Sequence, residues 1–207
     1  LYEACTWIVS VYQRTKNALL PSISEILAAK IIIVSGKSRS GKSTVAQVIK
    51  DVVQALGKDV NLIHADTWLK PDRMSVENDS IVSRYDMLGI EATISNLHAQ
   101  KFPIYHNHKV RAGYSNELSN VAEVLFGNSL TIIEGIPLLL SEKIRGLADQ
   151  VIQVSVDENT REKRLTTKYQ SRGLEPNEIN HLLKLRTRTE DQLIDQSKKH
   201  ATIYLDL

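Results

Sequence analysis

The chain has 207 residues, a formal net charge of +2, 42% apolar residues and 24% charged ones. That length holds one α/β domain with room for a small extension, and the composition is that of a globular chain, not a disordered or fibrous one. A charge this close to balance gives no grounds for a nucleic-acid partner, and no apolar run approaches the roughly 20 residues that span a bilayer.

The first 29 residues read as a helical preface to the domain at 30–207. Leu1, Cys5, Ile8 and Tyr12 fall at helical spacing. Ser22-Ile23-Ser24-Glu25, after Pro21, reads as a capping box that opens a second short helix. Trp7-Ile8-Val9 lacks a basic leader and a cleavage site, so no signal peptide is expected. Cys5 is the single cysteine, which excludes an internal disulfide framework and fits a reducing, cytoplasmic compartment.

The apolar run Ile31-Ile32-Ile33-Val34 then meets SGKSRSGKST at 35–44, and a helical pattern follows through Val45, Val48, Ile49, Val52, Val53 and Leu56. Strand, glycine-rich turn and helix form the context in which G-x-x-x-x-G-K-[ST] binds phosphate. Two Gly-Lys-Ser triplets compete for the register. Gly36 and Gly41 stand five apart with Lys42-Ser43 following, whereas the first triplet would need glycine at Ile31. Lys42 is therefore the working lysine and Lys37 an extra cation in the loop. Glycines at 36 and 41 permit backbone torsions that turn successive N–H groups inward into an anion-binding concavity. The helix start adds its free N–H groups and positive dipole end. The expected nucleotide-binding set is Gly36, Lys37, Ser38, Arg39, Ser40, Gly41, Lys42, Ser43 and Thr44, with Ser43 placing a hydroxyl on Mg²⁺.

Further strands are expected at Val60–His64, Leu130–Glu134, Val151–Val156 and Ala201–Leu207. Helices are expected over residues 90–100, 158–171 and 176–198, and residues 101–118 read as a long loop or short strands. Strands alternating with helices imply an α/β fold of the P-loop NTPase kind: a mainly parallel five-stranded sheet with helices on both faces and the N-terminal helical extension. In such sheets ligands sit beyond the carboxyl ends of the strands. Asp66 falls just past the second strand and Glu134 ends the third. An acid there either holds Mg²⁺ or its waters, or takes the proton from an attacking hydroxyl. Arg161, Arg164 and Lys168 share one helical face, followed by Arg172, and could close over phosphates as a lid. His106 and His108 read as polar loop histidines, His108 with scope for substrate contact. The sequence offers no second ligand cluster for zinc.

Taken in order, these segments resemble the uridine kinase and phosphoribulokinase-like branch of P-loop kinases, from about Ile31 to Leu207. HADTWLK looks like the segment that carries the catalytic acid, here Asp66. YDMLGIE looks like the one with a sugar-contacting acid, here Asp86. FPIYHNHKVR is similar to the stretch that supplies Tyr105 and Arg111, and TIIEGIPLL matches the strand ending in Glu134. The TREKRL…SRGL stretch looks like the arginine-bearing lid with Arg161, Arg164 and Arg172. The family's Phe-Tyr after the catalytic acid is Trp68-Leu69 here, its Asp after Pro-x-Tyr is His106, and the interval from Tyr105 to Arg111 is one residue shorter than in typical uridine kinases. The resemblance implies a kinase using ATP and Mg²⁺, with a small acceptor, a nucleoside such as uridine or cytidine first. Asp66, Lys42, Arg164 and Arg172 would be catalytic. Arg161 would join the nucleotide-binding set, Asp66, Asp86, Tyr105, His108 and Arg111 would bind the acceptor, and Ser43 and Glu134 would serve the metal. A kinase for a sugar phosphate, pantothenate or glycerate stays open, as does a nucleotide-binding regulator, although no Asn-Lys-x-Asp guanine motif is present. Self-association stays open too.

The register makes a direct prediction. Lys42→Ala should cripple kcat/KM for ATP while Lys37→Ala leaves it nearly intact; equal losses, or a greater loss at Lys37, would refute the assignment.

Overall fold

The computed structural model describes residues 2–70, 80–99, 104–111, 118–125 and 129–207. The sheet is built around β1 (Ile31–Ser35), every residue of which is buried. A strand buried on both faces reads as a continuous apolar run instead of alternating, and this run is Ile-Ile-Ile-Val. Around it lie β2 (Val60–His64), β5 (Leu130–Glu134), β6 (Gln150–Ser155) and β7 (Ile203–Asp206) in the order β2-β5-β1-β6-β7. All four pairings are parallel. The expected five-stranded parallel α/β sheet is what forms.

Alternate residues of each strand serve opposite faces. Ile32, Val34, Ile132, Ile152 and Val154 pack against α1 (Tyr2–Leu19), α2 (Ile23–Ala28) and α3 (Lys42–Ala55). Ile31, Ile33, Ile63, Ile133 and Val151 pack against α4 (Met87–His98) and α5 (Glu142–Leu147). The two N-terminal helices reach into the first of these cores: Leu19 and Ile26 are buried there, and the Tyr12 hydroxyl donates to Asp51 Oδ2 on α3 at 2.9 Å. The capping box expected at Ser22 does not form. A 3-10 turn, Leu20–Ser22, runs straight into α2, so the helix has no free start to cap, and Ser24 Oγ donates to its neighbour Glu25 instead.

Between α4 and β5 the chain forms an antiparallel pair, β3 (Ile104–Arg111) with β4 (Leu118–Leu125). The residues read as polar loop histidines, His106 and His108, therefore lie on a strand. After β6 come α6 (Glu158–Gln170) and α7 (Pro176–Arg186), then a π-helical turn over Thr187–Asp191 and α8 (Gln192–Ser197). The π turn breaks what the sequence suggests is one helix over residues 176–198. It carries two adjacent buried acids, Glu190 and Asp191.

Candidate active site

The loop between β1 and α3 is held in conformations that its residue types permit unequally. Gly36 has φ +151°, and a side chain there would put a Cβ 2.3 Å from the Val154 carbonyl oxygen. Glycine is required at that point by sterics alone. Arg39, with φ +67°, is the only non-glycine residue at positive φ among the described residues. A left-handed arginine costs about 1 kcal/mol or more, strain of a kind that concentrates at ligand-binding loops. Lys42 opens α3 and turns its ammonium back over the loop to donate to the Lys37 carbonyl at 2.9 Å. It is buried, and burial pulls its pKa down despite the nearby charges of Glu134, Asp66 and Glu190. Lys37 points elsewhere and pairs with Asp195 at 2.9 Å.

Two acids meet this lysine because two neighbouring strands end together. His64 and Glu134 are register partners across β2 and β5. Gly135 follows Glu134, and a Cβ there would lie 2.4 Å from that of Ala65. Glycine thus lets the end of β5 approach the 3-10 turn Ala65–Trp68 that carries Asp66. Glu134 Oε1 accepts from Ser43 Oγ at 3.1 Å and lies 2.8 Å from His64 Nδ1. Burial alone would push the Glu134 carboxyl up. The His64 hydrogen bond, the Lys42 charge and the Ser43 hydroxyl outweigh it and hold the group below its ordinary value. Asp66 Oδ1 accepts from the buried Tyr85 hydroxyl at 2.9 Å, and burial together with the Asp66 charge keeps that phenol protonated.

These groups share a cavity of about 880 Å³. Its lining includes Ser38, Arg39, Gly41, Lys42, Ser43 and Thr44 of the loop region, Asp66 and Glu134 at the strand ends, and Arg164 and Lys168 on α6. Arg164 Nη1 donates to the Arg39 carbonyl at 3.2 Å, which ties α6 to the loop. Lys168 is crowded. Burial, reinforced by Arg39, Arg172 and Arg186, lowers its pKa to about 8. Cations packed this closely suit a polyanion bound among them. The oxygen donors Ser43 and Glu134 fit Mg²⁺, which is commonly held by one or two protein oxygens plus substrate phosphates. No cluster of three or more His, Cys, Asp or Glu side chains suited to a metal occurs among the described residues.

Several expected site residues stand elsewhere. Arg161 is turned from the cavity into a buried ion pair with Asp191 at 2.6 Å and also pairs with Glu158. It braces α6 against the π turn and does not line the cavity. Glu190 is gripped in parallel by Arg84 and Arg186, each at 2.6 Å. Asp86 caps α4 by accepting from the Gly89 N–H at 3.0 Å and is also absent from the cavity lining. Its neighbour Tyr85 is the residue that reaches the site. Gly36, Lys37 and Ser40 shape the loop without lining the cavity, and exposed Arg172, also outside the lining, adds its charge near Lys168. Tyr105, His108 and Arg111 lie on β3, and their side chains fall outside the described residues. His64 and Tyr85 escape a sequence reading because their partners are set by strand register and by a turn, not by a motif.

The phosphoribulokinase/uridine kinase family model matches residues 31–206. The chain belongs to that family. A uridine kinase from Clostridium tetani (strain Massachusetts / E88) is 28% identical over 192 residues, covering 84% of this chain and 85% of the relative. Among solved structures, a protein provisionally assigned as a fructose transport system kinase from Silicibacter sp. TM1040 shares the fold with a TM-score of 0.66 at 17% identity, over 85% of this chain and 89% of its own. D-glycerate 3-kinase from Cryptococcus neoformans var. grubii serotype A does so with a TM-score of 0.56 at 11% identity, over 89% of each chain. The family holds kinases, and these relatives carry the names of different acceptors. No described helix is long and apolar enough to cross a membrane.

The crowding at Lys168 predicts a pH dependence. A bound polyphosphate raises the lysine's pKa again, so binding should take up protons near pH 8 and weaken as pH rises from about 7 to about 9. Calorimetry of triphosphate binding in buffers of different ionisation enthalpy measures this. Lys168→Gln should abolish the uptake; uptake that persists in the variant would assign it to another group.

Proposed function

We propose that this protein is a Mg²⁺- and ATP-dependent kinase that transfers the γ-phosphoryl group to a hydroxyl of a small metabolite. The observation that carries this reading is the convergence of Lys42, Asp66 and Glu134 on one cavity. The loop N–H groups and Lys42 grip the β- and γ-phosphates, and Arg39, Arg164 and Lys168 surround the charge that develops on the transferred group. Asp66, steadied by Tyr85, orients the acceptor hydroxyl and receives its proton as the new P–O bond forms and the bond to ADP breaks. Ser43 and Glu134 are the residues that would hold Mg²⁺, which supplies charge neutralisation between the phosphates. In a loose phosphoryl-transfer transition state positioning and electrostatics carry most of the rate. The arrangement here offers both.

A nucleoside is the first acceptor to test, because the 28%-identical relative is a uridine kinase. A sugar or hydroxy-acid acceptor is the second reading. It is favoured by the capping role of Asp86, which removes one of the two acids that a ribose would engage.

Asp66→Asn should keep affinity for a non-hydrolysable ATP analogue and lower kcat by roughly 10²–10⁴-fold, the usual cost of losing a general base. A coupled ADP-release screen over uridine, cytidine, glycerate, pantothenate, fructose and pentose phosphates should show turnover raised by one acceptor class. Near-normal turnover in the variant would remove Asp66 from the mechanism. Intact ATP binding with no stimulation by any acceptor would favour a regulator.

A further inference from the structure

The cavity extends beyond the phosphate loop, to a wall formed in part by α1, which lies outside the segment matched by the family model. Val11, Arg14, Thr15 and Ala18 of α1 line it, together with Thr44 and with Asp206 and Leu207 at the end of β7. Positions 11, 14, 15 and 18 fall at i, i+3, i+4 and i+7 and therefore form one helical face. That face is small and largely apolar. Thr15 is buried and its hydroxyl donates to the Val11 carbonyl at 2.9 Å, so it offers the cavity no free donor. Arg14 is exposed and is the one charged side chain that α1 brings to the lining. The helix is anchored there by the Tyr12–Asp51 hydrogen bond and by buried Leu19.

Sheet order gives this wall a direction. Asp66 follows β2 and Glu134 ends β5, on one side of β1, whereas Asp206 ends β7 at the opposite edge and Leu207 follows it. A triphosphate seated on the loop, with its γ-phosphate toward Asp66, sends its nucleoside the other way. The surface waiting there combines apolar Val11, Ala18 and Leu207 with polar groups at Arg14, Thr44 and Asp206, which suits an aromatic base with polar edges and a ribose.

We infer that the α1 face formed by Val11, Arg14, Thr15 and Ala18 is the wall against which the base and ribose of a bound nucleoside triphosphate pack. This rests on the kinase reading above. It gives the N-terminal helices a part in the nucleotide site beyond their part in the core.

The test compares ATP with inorganic tripolyphosphate, which has the phosphates and no nucleoside. Binding of both is measured by calorimetry to the full chain and to the variants Arg14→Ala and Val11→Trp, with thermal melting as a control on folding. Arg14→Ala alters an exposed side chain and should leave the fold unchanged. Both variants should weaken ATP by roughly tenfold or more while tripolyphosphate stays within about twofold. Unchanged ATP affinity in both would overturn the inference. So would an equal loss for the two ligands, which would mark α1 as support for the loop only. Failure of the nucleotide binding that the kinase reading requires looks different: the unmodified protein then binds neither ligand, and the inference falls with it.

Discussion

The site is organised by one unfavourable placement, the positive charge of Lys42 in a position almost closed to water. An isolated buried ammonium is costly, and proteins tolerate it where opposite charge or an anionic ligand compensates. Here the compensation is partial. The Lys37 carbonyl accepts one hydrogen bond, and Glu134, Asp66 and Glu190 supply negative potential, yet the lysine's pKa stays depressed. The loop is thus held ready for an anion, and its glycine at 36, its strained Arg39 and its helix start serve the same end.

The second layer of charge keeps that placement rigid. Glu190 and Asp191 are consecutive and both buried, and the π turn that carries them lets one bind Arg84 and Arg186 while the other binds Arg161. Removing one member of a buried pair typically costs about 3–5 kcal/mol, since the other is left desolvated and alone. The pairs fasten α6, which bears Arg164 and Lys168, to the C-terminal helices and to the turn at Ile81–Arg84 that leads into Tyr85. The same cross-links therefore position both the cavity-lining cations and the brace on Asp66.

Much of this was legible in the sequence. The central strands β1 and β5 are buried on both faces and so read as largely apolar runs, and the phosphate loop is a motif whose spacing fixes its own register. What the sequence hides is contact between distant segments. The adjacency of His64 and Glu134 depends on strand order, which no local pattern encodes. Arg161 shares a helical face with Arg164 in a simple projection, but a buried Asp191 lies within reach and captures it. Asp86 caps α4 while its neighbour Tyr85 reaches Asp66, because a carboxylate at a helix start is drawn to the free N–H groups there. The β3–β4 pair was obscured by its many polar residues, which a two-stranded ribbon accommodates without a deep core.

The central claim, that the γ-phosphoryl group goes to a carbon-bound hydroxyl and not to water, can be followed atom by atom. ³¹P NMR of the protein with Mg²⁺, ATP and a pool of nucleosides, sugars and hydroxy acids reports where the phosphorus ends. The account predicts a phosphomonoester resonance growing in step with ADP. Growth of inorganic phosphate alone, at a rate indifferent to the acceptors, would contradict it.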